Sequence, residues 1–166
     1  MQKQKPKWLE KKLIEPAKLE EFALQLKSQA LTIATLNGSF DLLHAGHLYM
    51  ISQAKLQADR LIVALNSDES IRGYKGPSRP IVPLEYRLEM MAALEFVDYV
   101  TWFDELDPCE LIRKIRPNVH VNGAEYGTQC VEAETVSSCN ARLHLVDRIP
   151  SLSTSKLIEK IIECAV

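Results

Sequence analysis

Two histidines, His44 and His47, stand three residues apart in the segment Gly38-Ser39-Phe40-Asp41-Leu42-Leu43-His44-Ala45-Gly46-His47. An apolar, β-prone run, Leu31-Thr32-Ile33-Ala34-Thr35-Leu36, precedes the segment, and a helical pattern from Leu48 to Ala58 follows it. A strand that turns through glycine into a helix presents backbone N–H groups and a positive dipole end, which together suit a phosphate. At this spacing both histidines share one face of the first helical turn. Gly46 between them keeps a side chain out of the space that a phosphate would fill. The chemistry indicated is that of a nucleotide.

Other residues could join such a site. Residues 71–82 form a polar connection rich in Gly, Pro, Lys and Arg that carries Lys75 and Arg79. Long loops in compact domains are disproportionately functional. Arg87 sits in the first turns of the next predicted helix, beside Glu85 and Glu89 as ion-pair partners. Ser153-Thr154-Ser155 opens the last predicted helix, where hydroxyls ordinarily cap. Asp41 has two readings, a magnesium ligand or a cap for the histidine helix. His120 and His144 fall inside predicted strands and read as core or edge residues.

The elements that must position these residues alternate regularly. Helices are expected from Pro16 to Ala30, after His44, over Leu84–Phe96, Pro108–Ile115 and Thr128–Ser138, and from Ser153 to Cys164. Strands are expected at Leu31–Leu36, Arg60–Leu65, Tyr99–Phe103, Val119–Asn122 and Arg142–Val146. This alternation implies an α/β fold with a doubly wound, five-stranded parallel sheet in a single domain with an N-terminal helix. Such sheets bind ligands beyond the carboxyl ends of their strands, where the strand order reverses. The histidine segment, the 71–82 connection and Ser153-Thr154 all follow strands and can converge there.

The chain has 166 residues, 46% of them hydrophobic and 25% charged, which fits one soluble core. Residues 1–15 read as a basic, solvated tail, with Trp8 the candidate to dock onto a domain spanning 16–166. A net charge of −2 gives no reason to expect a nucleic-acid partner. No apolar run reaches the roughly 18 residues of a membrane span, and the tail lacks the apolar centre of a signal peptide. The four cysteines contain no C-x-x-C pair and read as reduced thiols. The expected location is cytoplasmic.

Five segments in order, LNGSFDLLHAGH, ADRLIVALNSDES, KGPSRPIVPLEYR, ALEFVDYV and LSTSKLIEKI, give the chain a resemblance. It resembles the cytidylyltransferase-like nucleotidyltransferases, which carry the H-x-G-H signature on a Rossmann-like fold. Within them it is most similar to the D-glycero-β-D-manno-heptose 1-phosphate adenylyltransferases. The resemblance implies attack of a substrate phosphate on the α-phosphorus of a nucleoside triphosphate, with pyrophosphate expelled and Mg²⁺ as cofactor. Positioning and charge stabilisation would then supply the catalysis. On this basis His44, His47 and Lys75 are the expected catalytic residues. Gly38, Ser39, Phe40, Gly46, Arg87, Gly123, Ser153 and Thr154 would bind nucleotide or phosphate. Arg79 and Arg148 would hold the phosphorylated acceptor, while Asp41 stays open between metal ligand and helix cap.

The implied partners are ATP and a heptose 1-phosphate made by a separate sugar kinase, and a homodimer. Arg148 is the residue that instead matches cytidylyltransferases for glycerol 3-phosphate or phosphoethanolamine. Ser151 stands where the family often has glycine, and Asn122 and Glu125 stand where the heptose enzymes tend to carry lysine and aspartate. A nucleotide-binding module without catalysis is the alternative from another class.

Overall fold

The computed structural model describes residues 5–147, 149 and 153–165. Its sheet contains five parallel strands: β1 (Ile33–Gly38), β2 (Arg60–Asn66), β3 (Tyr99–Phe103), β4 (Val119–Gly123) and β5 (Arg142–Val146). Their spatial order is β3-β2-β1-β4-β5. From β1 the chain first builds outward through β2 and β3, then crosses back to place β4 on the other side of β1. The order reverses between β1 and β4, which opens a crevice at their carboxyl ends.

Alternation along each strand divides the core into two layers. Ala34, Leu36, Leu61, Val63 and Val121 face α3 (Ala45–Lys55) and α5 (Leu84–Ala93), where Ile51 and Met91 are fully buried. Ile33, Ile62 and Ala64 face α2 (Leu19–Ser28), α6 (Cys109–Ile115) and α7 (Ala133–Ser138), packing with Leu19, Ile112 and Val136. No helix of the described residues is long and apolar enough to cross a membrane.

Three expectations need correction. Residues 71–82 do not form one long loop, because α4 (Asp68–Lys75) occupies the first part. Ser67 caps it by accepting from the Ser70 N–H at 3.2 Å, and Asp68 and Glu69 complement the dipole in the first turn. Gly76, with φ +88°, ends it in a conformation that glycine adopts most readily. The remaining loop is therefore residues 76–83. Thr128–Ser138 is helical only over α7, after a single tight turn at Ala124–Tyr126.

The third correction concerns the amino-terminal tail. Residues 7–14 are built into the body: Lys7–Lys12 form α1, which packs on α5. Leu9 and Ile14 are 4% and 6% exposed, whereas Trp8 is 51% exposed. Leu13 bridges Val100 in parallel, and the Ile14 N–H donates to the Val100 carbonyl at 2.8 Å. Charge masked the pattern, because the buried Leu9 and Ile14 and the partly buried Leu13 stand among lysines and glutamates. Leu9→Ala should therefore lower stability by about 2–5 kcal/mol, as a buried leucine truncation does. Urea unfolding checks this; an unchanged midpoint would return the segment to solvent.

Candidate active site

The crevice at the strand reversal encloses about 400 Å³, within the range of small-molecule sites. Its floor on one side is the end of β1. There Phe40 adopts a left-handed φ of +46° and buries its ring. That ring packs closely on Gly38 and meets His47 edge-on, with centroids 5.3 Å apart. The turn delivers the chain into α3 with His44 as its cap.

His44 is a cap of an unusual kind, since its Nδ1 accepts from the Gly46 N–H at 3.1 Å. With Nδ1 as acceptor, the neutral imidazole carries its proton on Nε2. The His47 ring stacks on that of His44, with centroids 3.9 Å apart and planes inclined by 24°. The expected shared face is thus a stacked pair, held from below by Phe40.

A second helix start closes the opposite side. α8 (Thr154–Cys164) is capped by Ser153, whose Oγ accepts from the Lys156 N–H at 3.2 Å. Thr154 Oγ1 lies 3.5 Å from the Leu42 carbonyl and ties α8 to the histidine turn. Two eleven-residue helices therefore point their amino termini into one crevice. Their dipoles add where phosphate charge would accumulate.

Lys75, the last residue of α4, reaches Ser39 with Nζ–Oγ 2.8 Å. On the β4 side the wall consists of Asn122, Gly123, Glu125 and Tyr126. The Glu125 carboxylate lies against Gly123, where any Cβ would collide with it. Asp147 adds a second carboxylate to the lining.

His44, His47, Lys75, Gly38, Ser39, Phe40, Gly46, Gly123, Ser153 and Thr154 all line this space. Arg148, expected at the acceptor, lies outside the described residues. Three other expectations are corrected. Arg87 does not face the crevice; it is 1% exposed and its guanidinium serves the scaffold. Nη1 donates to the carbonyls of Ser39 and Asn66, Nε to that of Val82, and Nη2 pairs with Asp68 at 2.7 Å. Donors that would suit phosphate here satisfy carbonyl oxygens at the ends of β1 and β2.

Asp41 does not cap the histidine helix, and its carboxylate is committed to loop donors. Its buried carboxylate accepts from the N–H groups of Ile81 and Val82, each at 2.8 Å, and pairs with Arg79 at 2.6 Å. Arg79 is thereby directed at Asp41 and does not line the crevice. Burial favours the neutral carboxyl, but the Val82 and Ile81 N–H groups and Arg79 outweigh it and hold the Asp41 pKa below the ordinary range. Among the described residues no group of three or more His, Cys, Asp or Glu side chains could hold a metal.

Sequence reasoning overlooked Glu132, a buried carboxylate behind the β4 wall. Burial would raise its pKa. The nearby His120 ring, a backbone N–H and Cys130 together bring it below the ordinary glutamate value. Nothing in the local sequence distinguished Glu132 from its exposed neighbour Glu134.

A reversed-order parallel sheet, with two helix starts and a histidine pair around one crevice, is an α/β arrangement suited to phosphate groups. The chain belongs to the cytidylyltransferase-like family, whose model matches residues 35–160, from β1 into α8, and so to the nucleotidyltransferases. It is 45% identical over 138 residues to the bifunctional protein HldE of Alcanivorax borkumensis, covering 82% of this chain and 29% of that protein. With the bifunctional protein HldE of Koribacter versatilis the identity is 43% over 150 residues, covering 90% and 31%. The chain thus spans less than a third of the length of these relatives. It also resembles the crystal structure of the lipopolysaccharide core biosynthesis protein from Thermoplasma volcanium GSS1. That match has a TM-score of 0.58 and 26% identity, over 72% of this chain and 97% of the other.

The Asp41 cluster carries a pH signature. A carboxyl depressed in the folded state stabilises it above the unfolded pKa of about 3.9, and this contribution is lost as pH falls through the lower folded value. Asp41→Asn should therefore lower the melting temperature at pH 7 and flatten its decline below about pH 4. Melting curves from pH 7 to pH 3 check this; an acid limb parallel to the parent's would remove Asp41 from the linkage.

Proposed function

We propose that this protein transfers a nucleoside monophosphate from a nucleoside triphosphate to a small sugar phosphate, with ATP and D-glycero-β-D-manno-heptose 1-phosphate as its substrates. The products are ADP-heptose and pyrophosphate. The observation that carries the reading is the convergence of His44, His47, Ser153 and Thr154 at two helix amino termini within one crevice. The likeness to HldE proteins and to a lipopolysaccharide core biosynthesis protein supports the choice of substrates.

In this reaction a phosphate oxygen of the sugar phosphate attacks the α-phosphorus. The bond from that phosphorus to the α–β bridging oxygen breaks, and pyrophosphate leaves with the electron pair. No protein nucleophile is needed. His44 and His47 donate to the oxygens on which charge develops; each such donor contributes roughly 10²–10³ in rate. Lys75 and the α8 amino terminus hold the outgoing pyrophosphate. Glu125 and Asp147 at the far wall are suited to sugar hydroxyls, because carboxylates accept from such donors.

The described side chains offer no carboxylate cage for a resident magnesium ion. Magnesium would enter with the triphosphate, whose phosphate oxygens and bound waters would supply most of its ligands. A phosphoryl-transfer reaction elsewhere must supply the sugar phosphate. Arg148 favours a second reading, with CTP and glycerol 3-phosphate or phosphoethanolamine as substrates.

Pyrophosphate release with Mg²⁺, pairing ATP or CTP with each of the three acceptors, discriminates these readings. Turnover with ATP and the heptose alone is expected. Turnover with CTP alone would establish the second reading, and nucleotide binding without turnover would leave a non-catalytic module. His47→Ala should lower kcat by at least about 10² while leaving the melting temperature nearly unchanged. Full activity in the folded variant would remove His47 from the chemistry.

A further inference from the structure

Behind the β4 wall runs a chain of buried polar side chains that the transfer reaction does not use. Thr35 Oγ1 and His120 Nδ1 lie 2.8 Å apart across directly paired positions of β1 and β4. His120 Nε2 is 3.6 Å from Glu132 Oε1. Glu132, 3% exposed, accepts from the Asn122 side-chain amide. The Asn122 Oδ1 accepts in turn from the Gly123 N–H at 2.8 Å. Only Asn122 and Gly123, at the end of this chain, reach the crevice.

Chemistry fixes the orientation of Asn122. A backbone N–H can be accepted only by the amide oxygen, and a carboxylate can accept only from the amide nitrogen. A half-turn of the amide would place oxygen against carboxylate and nitrogen against N–H. Both contacts would become repulsive in an interior where unsatisfied polar groups are costly. Asn122 thus keeps one N–H and one lone pair in a set direction. That pattern matches the donor-and-acceptor edge of a nucleobase. The phosphate-binding helix starts lie on the other side of the crevice, which leaves the β4 wall to the nucleoside.

We propose that Glu132 is a positioning residue for nucleotide binding: by holding the Asn122 amide it fixes that side chain and the Gly123 backbone against the nucleoside half of the triphosphate. This inference rests on the nucleotide reading of the crevice, and it assigns Glu132 no contact with substrate. Thr35 and His120 support the carboxylate from behind and link the two strands that border the crevice.

Exchange of the two groups tests it in the full-length protein. Asn122→Asp opposes two carboxylates and should weaken ATP binding by about tenfold or more, with kcat much less affected. Adding Glu132→Gln to that variant exchanges amide and carboxylate across the same contact. Affinity should then recover in part, because the exchanged contact is restored while the N–H that Asn122 offers the base is not. Glu132→Gln alone keeps the shape but removes the charge, and should weaken binding by about threefold. It reads the contact even if Asn122→Asp does not fold.

Equilibrium dialysis with labelled ATP and CTP gives the affinities, and melting curves report folding separately. Single variants that melt lower yet bind nucleotide like the parent would make the contact merely structural and overturn the proposal. A folded double variant that recovers nothing would do the same. If the parent bound neither nucleotide, the reading of the crevice would itself fall; parental binding unchanged in every variant would refute only the role of Glu132.

Discussion

One buried guanidinium determines where the active-site loops can lie. Arg87 is almost wholly withdrawn from water, so its charge must be met within the protein or the site does not form. It is met by carbonyl oxygens at the ends of β1 and β2, another in the 76–83 loop, and the first residue of α4. These acceptors fall in three separate stretches of chain, at residue 39, residues 66–68 and residue 82, and the guanidinium fixes their spacing. Asp41 repeats the device with opposite sign, collecting two loop N–H groups and Arg79. The turn between β1 and α3 is thus clamped from both ends before any phosphate arrives, so little reorganisation is left to the moment of reaction.

The charge logic of the crevice follows from that clamp. Under the proposed reaction, phosphate attraction would come largely from backbone dipoles and imidazole donors, supplemented by Lys75, while Arg79 and Arg87 are engaged elsewhere. A site made this way favours a highly charged substrate without presenting a strongly basic surface, consistent with a chain whose net charge is −2. Carboxylates on the far wall give the space a polarity, with phosphate-favouring groups at one end and hydroxyl-favouring groups at the other.

The five strands and the histidine turn were legible because their signals are local. Alternating apolar runs, a glycine at the strand end and the histidine spacing need no knowledge of the rest of the fold. The roles of Arg87, Arg79 and Asp41 were not legible, since a guanidinium suits phosphate and carbonyl oxygen equally well. Which acceptor it meets depends on loops brought together only by folding. Helix α4 was hidden for a different reason. Its basic residues and two glycines, Gly73 and Gly76, suggested a loop, although Ser67 and the acidic first turn already marked a helix start. Glu132 could not be singled out, because its burial depends on α7 packing behind β4.

The amino-terminal strap at Leu13 and Ile14 lies along β3, an outermost strand of the sheet. An uncovered outer strand offers its backbone to any passing chain, and proteins commonly shield such edges to stay dispersed. The strap supplies part of that shield by engaging the Val100 carbonyl, while α1 packs on α5. The strap therefore protects the flank farthest from β5, with residues that lie outside the crevice.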